Sequence, residues 1–197
     1  MNDNVFQAKL DYHLLDSFVK QTSTVIVGHF LAASINIGLF WQQINHTFIF
    51  SWVIFLFLTG LARGLMKTQY QRRQERLSPS YWRGLFAVSS LLLGLAWFAW
   101  SLHVSIEVGF SGMGFSIIVI TAAGLVSGAV ASTSSSVYSY ICFSAPILLP
   151  LSILLLFKDQ METQGIGLLL VLFFIITLRQ VLSINSVSWF HRINAAL

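Results

Sequence analysis

Charged side chains make up only 9% of the 197 residues, against roughly 25% in a soluble domain. That shortage excludes an ordinary water-soluble fold. Cysteine is nearly absent as well. Cys142 stands alone inside an apolar run, which excludes a disulfide framework and leaves it to act as a small buried hydrophobe. Acidic residues number seven, and none falls inside the long apolar runs. A proton or sodium relay across a membrane therefore lacks its usual carboxylates. The chain has no phosphate-binding glycine loop, no HExxH and no CxxC, and its polar segments are too short to fold as an enzyme domain. The opening "MNDNVFQAKLDYHLLDSFVK" also lacks the basic-then-apolar order of a secretory signal.

What the sequence does have is hydrophobicity, 56% of residues with a mean hydropathy of +0.76. A transmembrane helix needs about 20 apolar residues, and six stretches qualify: 23–42, 47–66, 84–103, 114–135, 138–157 and 165–183. The expected fold class is all-α, a polytopic integral membrane protein with a six-transmembrane-helix bundle. Phe6, Leu10, Leu14 and Phe18 recur every four residues, which adds an amphipathic N-terminal helix over 1–22. The expected organisation is thus a cytoplasmic N-terminal segment, a membrane domain over 23–183, and the start of a cytoplasmic helix or linker over 184–197.

Eleven Lys and Arg against seven Asp and Glu give a pI near 9.5, but their placement argues against nucleic acid. With the N-terminus inside, Lys9, Lys20, Arg63, Lys67, Arg72, Arg73, Arg76, Arg83, Arg179 and Arg192 share one side, and Lys158 stands on the other. The positive-inside rule then puts both termini in the cytoplasm, and the partner of the basic face is the lipid bilayer. Trp41, Trp82 and Trp189 near the span ends fit an interfacial aromatic belt. External loops are too short to hold a binding domain, so any stimulus is sensed within the membrane or at its rim.

In the fourth span, Gly124, Gly128, Ser132 and Ser136 recur every four residues. Small residues at this spacing let helices pack closely; the alternatives are a dimer face or the wall of a polar cavity. Gly60 and Gly64 repeat the pattern in span two. Pro146 and Pro150 predict a kink in span five and a pocket beside the serine-rich end of span four. His29 and Arg63 lie at similar depth, with Arg63 expected to snorkel to the headgroups. The candidate ligand pocket comprises His29, Arg63, Trp97, Ser127, Ser132, Pro146 and Pro150. His46, His103 and Glu107 gather near the outer rim without a metal-ligand spacing, and His29 and His103 belong to opposite sides, which argues against a haem between them. Neither metal nor cofactor is expected.

The order of motifs resembles a known family. "HFLAASINIGLFW", "LTGLARGLMKTQYQRR", "YWRGLFAVSSLLLGLAWFAWSL", "AAGLVSGAVASTSSS" and "YICFSAPILLPLSILLL" follow one another. They are similar to the MASE-type membrane sensor region that heads bacterial GGDEF diguanylate cyclases and hybrid sensor histidine kinases. The resemblance rests on Trp82, Arg83, Leu85 and Phe86 opening span three, on Gly94 with Trp97, and on Phe143, Pro146 and Pro150, and it covers about 23–183. It implies a sensory input module in the bacterial inner membrane, passing a stimulus to a catalytic output domain that this chain does not contain. Phe190, Ile193 and Leu197 begin a heptad seam for a dimeric output helix. A homodimer and a small hydrophobic ligand are the expected partners. The alternative is a small transporter or channel, with Ser127, Ser132 and Thr133 lining its route.

Overall fold

The computed structural model describes residues 3–73, 77–133 and 136–196, with side chains at Tyr12 and over 14–73, 77–133 and 136–186. In lipid, backbone N–H and C=O groups find no water, so a spanning segment satisfies them internally as a helix. The described residues accordingly form helices and no strand: α1 (Asp3–Phe40), α2 (His46–Arg73), α3 (Pro79–Val108), α4 (Gly112–Thr133), α5 (Val137–Leu156) and α6 (Met161–Ala196). Each is long and apolar enough to cross a bilayer. The chain is a multi-pass membrane protein.

Two boundaries differ from the sequence expectation. No break separates an N-terminal helix from the first span, because no Gly or Pro interrupts the chain before Gly28 and α1 runs straight through. Leu15, Phe18 and Val19 pack there against Tyr70, Trp82 and Phe86; Phe6 and Leu10 lie outside the described side chains. Trp82, expected in an interfacial belt, is instead buried edge-on against Tyr70. The second boundary is the start of α3 at Pro79. Ser78 caps it by accepting a hydrogen bond from the Tyr81 N–H, and Pro79 occupies the first turn, where its missing donor costs nothing.

Short connections turn each helix back along the one before it, so consecutive helices run antiparallel, and three contacts among α1, α2 and α3 agree. Lys67 Nζ donates to Ser23 Oγ (2.8 Å), Arg63 Nη1 donates to Ser90 Oγ (3.3 Å), and Tyr70 meets Trp82. The α3–α4 turn needs positive φ at Gly109 (87°) and Gly112 (78°), a backbone state that favours glycine. One end of the bundle therefore gathers Lys20, Arg63, Lys67, Arg72, Arg73, Arg83 and Arg179, and Lys158 sits at the other.

α3 and α5 are the most buried helices and form the central seam. A β-carbon on Gly94 would lie 2.5 Å from the Phe143 carbonyl oxygen and 3.2 Å from that of Cys142. Pro146, four residues on, cannot donate to the Cys142 carbonyl, so α3 packs where α5 has a freed acceptor. Ser144 and Ser152 hydroxyls donate to the Tyr140 and Leu148 carbonyls, and α5 stays one helix through both prolines. Around this seam lie α1 and α2 on one side and α6 on the other. Leu31, Ile54, Leu58, Leu172 and Ile176 face outward, as lipid contact requires.

Candidate functional site

α1 and α4 are fastened at two levels and part between them. Near the basic end, the Gln21 side-chain amide donates to the Ala131 and Ser132 carbonyls (3.1 Å each), which satisfies acceptors left over in the last turn of α4. Fifteen residues along α1, Asn36 Nδ2 donates to Thr121 Oγ1 (3.3 Å) and to the Ala32 carbonyl (2.9 Å). Asn36 Oδ1 accepts from Trp100 Nε1 (3.2 Å), so the buried amide is fully used.

Between these ties lies a cleft of 440 Å³, within the range of small-molecule sites. Its two walls are α1, through Thr24, Gly28 and Ala32, and α4, through Gly124, Leu125 and Gly128. The floor comes from Arg63, Ser90, Leu93 and Phe143 of the other helices. Thr24, Gly28, Gly124 and Gly128 are exposed, so the mouth opens sideways on the lipid-facing surface.

Gly124 and Gly128 were expected to bring helices together. The structure gives them the other role that small residues can take: a β-carbon at either, or at Gly28, meets nothing within 4 Å. Within the protomer they make room instead of contact. Ser132 shares the wall and donates back to the Gly128 carbonyl (3.0 Å). Ser136 does not belong to the stripe at all, because α4 ends at Thr133 and Ser136 caps α5, accepting from the Ser139 N–H. A β-carbon on Gly60 would lie 3.3 Å from the Phe30 ring of α1, whereas one on Gly64 would meet nothing within 4 Å.

Arg63 departs most from expectation. It does not snorkel; only 2% of it is exposed. Its Nη1 donates to Ser90 Oγ, and its guanidinium lies 5.4 Å from the Phe18 ring. Among the described residues, Nε and Nη2 have no hydrogen-bond partner. Among the described residues the carboxylate at this end is Asp16, which pairs with Lys20 at 2.8 Å and not with Arg63. A desolvated cation–π contact is worth about 2 kcal/mol and a charged hydrogen bond about the same. Burying a cation costs several kcal/mol, so the two contacts offset only part of it.

His29 stands beside Arg63 on the cleft wall. Trp97 Nε1 donates to its Nδ1 (3.0 Å), which makes His29 a neutral imidazole with its proton on Nε2. Phe143 meets the ring edge-on at 5.2 Å. Trp97 itself is buried behind His29, part of a cluster in which Trp52 stacks on Trp100 (4.3 Å) and meets Trp97 edge-on (5.1 Å). Each of the three indoles donates its N–H, Trp52 to the Ala96 carbonyl at 2.8 Å.

Of the residues expected in a ligand pocket, the cleft thus unites His29, Arg63 and Ser132. Trp97 supports from behind. Ser127 is exposed on another face of α4, and Pro146 and Pro150 sit on α5 away from the cleft, which α5 reaches through Phe143. Sequence reasoning missed Thr24, Asn36, Ser90 and Thr121. Asn36 carried a signal, an amide in the apolar run "AASINIGLF"; a lone Ser or Thr in a span carries almost none. At the opposite end, His46 stacks on Trp41 (4.5 Å) and His103 lies tilted against Phe48 (3.9 Å). The described residues contain no cluster of three metal-ligating side chains. Phe190 and Ile193 lie on the backbone of α6, but their side chains and Leu197 fall outside what is described.

Compared with family models, curated proteins and solved structures, the chain matches none of them.

Proposed function

We propose that the chain is the sensory input module of a bacterial signalling protein, set in the cytoplasmic membrane with both termini inside. The observation that carries this reading is the position of α4, which walls the cleft on one face and packs against α6 on another. A ligand in the cleft favours the α1–α4 spacing that fits it, and α6 leans on the helix that moves. α6 has 36 residues, roughly 54 Å at 1.5 Å each, well beyond the about 30 Å of hydrocarbon. A shift of about an ångström in the membrane therefore reaches the basic side as a displacement of α6.

Three further features support the reading. Seven basic residues at one end favour that end as the cytoplasmic one. The order of motifs favours a diguanylate cyclase or hybrid histidine kinase as the output. The cleft runs from Thr24 and Thr133 only as far as Asn36 and Thr121, roughly 18 Å at helical rise. A space that ends midway favours binding over passage, and so favours the sensor over the transporter.

The test places single cysteines at 190, 193 and 197 in a Cys142→Ala background, in native membranes. The expected result is crosslinking between protomers, strongest at the seam positions. Absence of any crosslink, or solute flux into liposomes carrying the purified protein, sinks the reading.

A further inference from the structure

We infer that the α1–α4 cleft binds a single-chain amphiphile with an oxyanion head, the head held by Arg63 and the chain laid along the glycine wall. The inference rests on the sensor reading above only in making this amphiphile the module's stimulus. The site itself stands on geometry.

Arg63 supplies the first argument. Its guanidinium is buried, borders the cleft, and keeps Nε and Nη2 without partners. Those two groups form one edge of the guanidinium fork, whose parallel N–H bonds match the two oxygens of a carboxylate or phosphate. The bond from Nη1 to Ser90 fixes the orientation of the fork. Lys67, Arg72 and Arg73 at the same end add positive potential, and the described carboxylate there, Asp16, is taken by Lys20. Among the described residues no carboxylate pairs with Arg63. His29, protonated on Nε2, adds a neutral donor to the cleft wall.

The shape of the cleft supplies the second. Gly28, Gly124 and Gly128 open a channel between α1 and α4, with Leu93, Leu125 and Phe143 as its apolar lining. Its length, roughly 18 Å by helical rise, is close to one leaflet of a bilayer, half of about 30 Å. The charged group sits toward the basic end and the channel runs inward from it to Asn36 and Thr121. An amphiphile resting in that leaflet already has its head at the same end and its chain directed to the midplane. Because the mouth opens sideways, it enters from the lipid without crossing water.

The probes are hexadecanoate, hexadecyl phosphate and hexadecanol, titrated onto the purified full chain in phosphatidylcholine nanodiscs. One or both charged probes are expected to bind at least tenfold tighter than hexadecanol, and which of them does so identifies the head. Arg63→Met is expected to erase that preference. Gly128→Leu, whose side chain has room to enter the cleft, is expected to weaken all three probes while the protein still folds. Equal binding of hexadecanol, an unchanged preference in Arg63→Met, or full binding in Gly128→Leu overturns the inference. So does displacement of the charged probes by phosphatidylglycerol, which makes the occupant a two-chain bilayer lipid. Should hexadecanoate bind and the α6 crosslinks stay unchanged, the sensor reading falls and this site remains.

Discussion

At the α3–α5 seam a β-carbon on Gly94 would lie 2.5 Å from a backbone carbonyl, whereas at the α1–α4 seam one on Gly28, Gly124 or Gly128 would meet nothing within 4 Å. The first seam runs between parallel helices and the second between antiparallel ones, and both are built from apolar helices. One uses glycine to let backbones touch, and Trp52, Ser144 and Ser152 donate to backbone carbonyls of its two helices. The other uses glycine to keep a space, and it borders a cation with two unpartnered donors. Small residues in a membrane helix therefore do not by themselves announce contact. What they do depends on whether a partner backbone stands opposite.

The largest effect expected is at the closed seam. Gly94→Ala drives a methyl into the Phe143 carbonyl, and neither helix can yield cheaply between its neighbours. Thermal unfolding of the purified protein should show a loss of about 3 kcal/mol; a variant as stable as the parent would mean that the seam is not close-packed. Next comes Arg63→Met, which replaces a partly compensated buried cation by an apolar chain of similar length. With no anion added, stability should rise by about 2 kcal/mol, at the cost of the binding function. A marked fall would show that the guanidinium is already satisfied.

Asn36→Leu tests the tie that closes the far end of the cleft. It leaves the Trp100 N–H without an acceptor and frees Thr121, so a loss of about 1–2 kcal/mol is expected in the same assay. The smallest effect belongs to the open seam. Gly124→Ala and Gly128→Ala add a methyl to free space and improve helix propensity, a gain of about 0.5–1 kcal/mol each. The opposite signs of Gly94→Ala and Gly124→Ala are the sharpest form of the comparison, and destabilisation by both would erase it.

Much of the fold was legible in the sequence. Hydropathy alone marks six spans, since an apolar run of that length has no other stable state in water or lipid. Their antiparallel order follows from connections too short for anything else. The change in polarity at 22/23 is not a break in structure, since nothing there breaks a helix and α1 runs through it. At the site, His29, Arg63 and Ser132 could be named because polar groups inside spans are few. Their meeting could not. Snorkelling was the reasonable expectation for an arginine near a span end; Phe18 and Ser90, from α1 and α3, hold it inside instead. Ser127 and Ser132 share one helix and one chemistry, and five residues of rotation put one on the cleft and the other on an outer face.

The sequence by itself determined that this chain crosses a membrane six times and carries its positive charge at one end, because both follow from local transfer energies summed along the chain. Only the tertiary structure decided which glycines touch and which leave room, and that Arg63 faces a cleft with two donors free. Those outcomes depend on what another helix, distant in sequence, places opposite each residue, and no property of the residue itself encodes that.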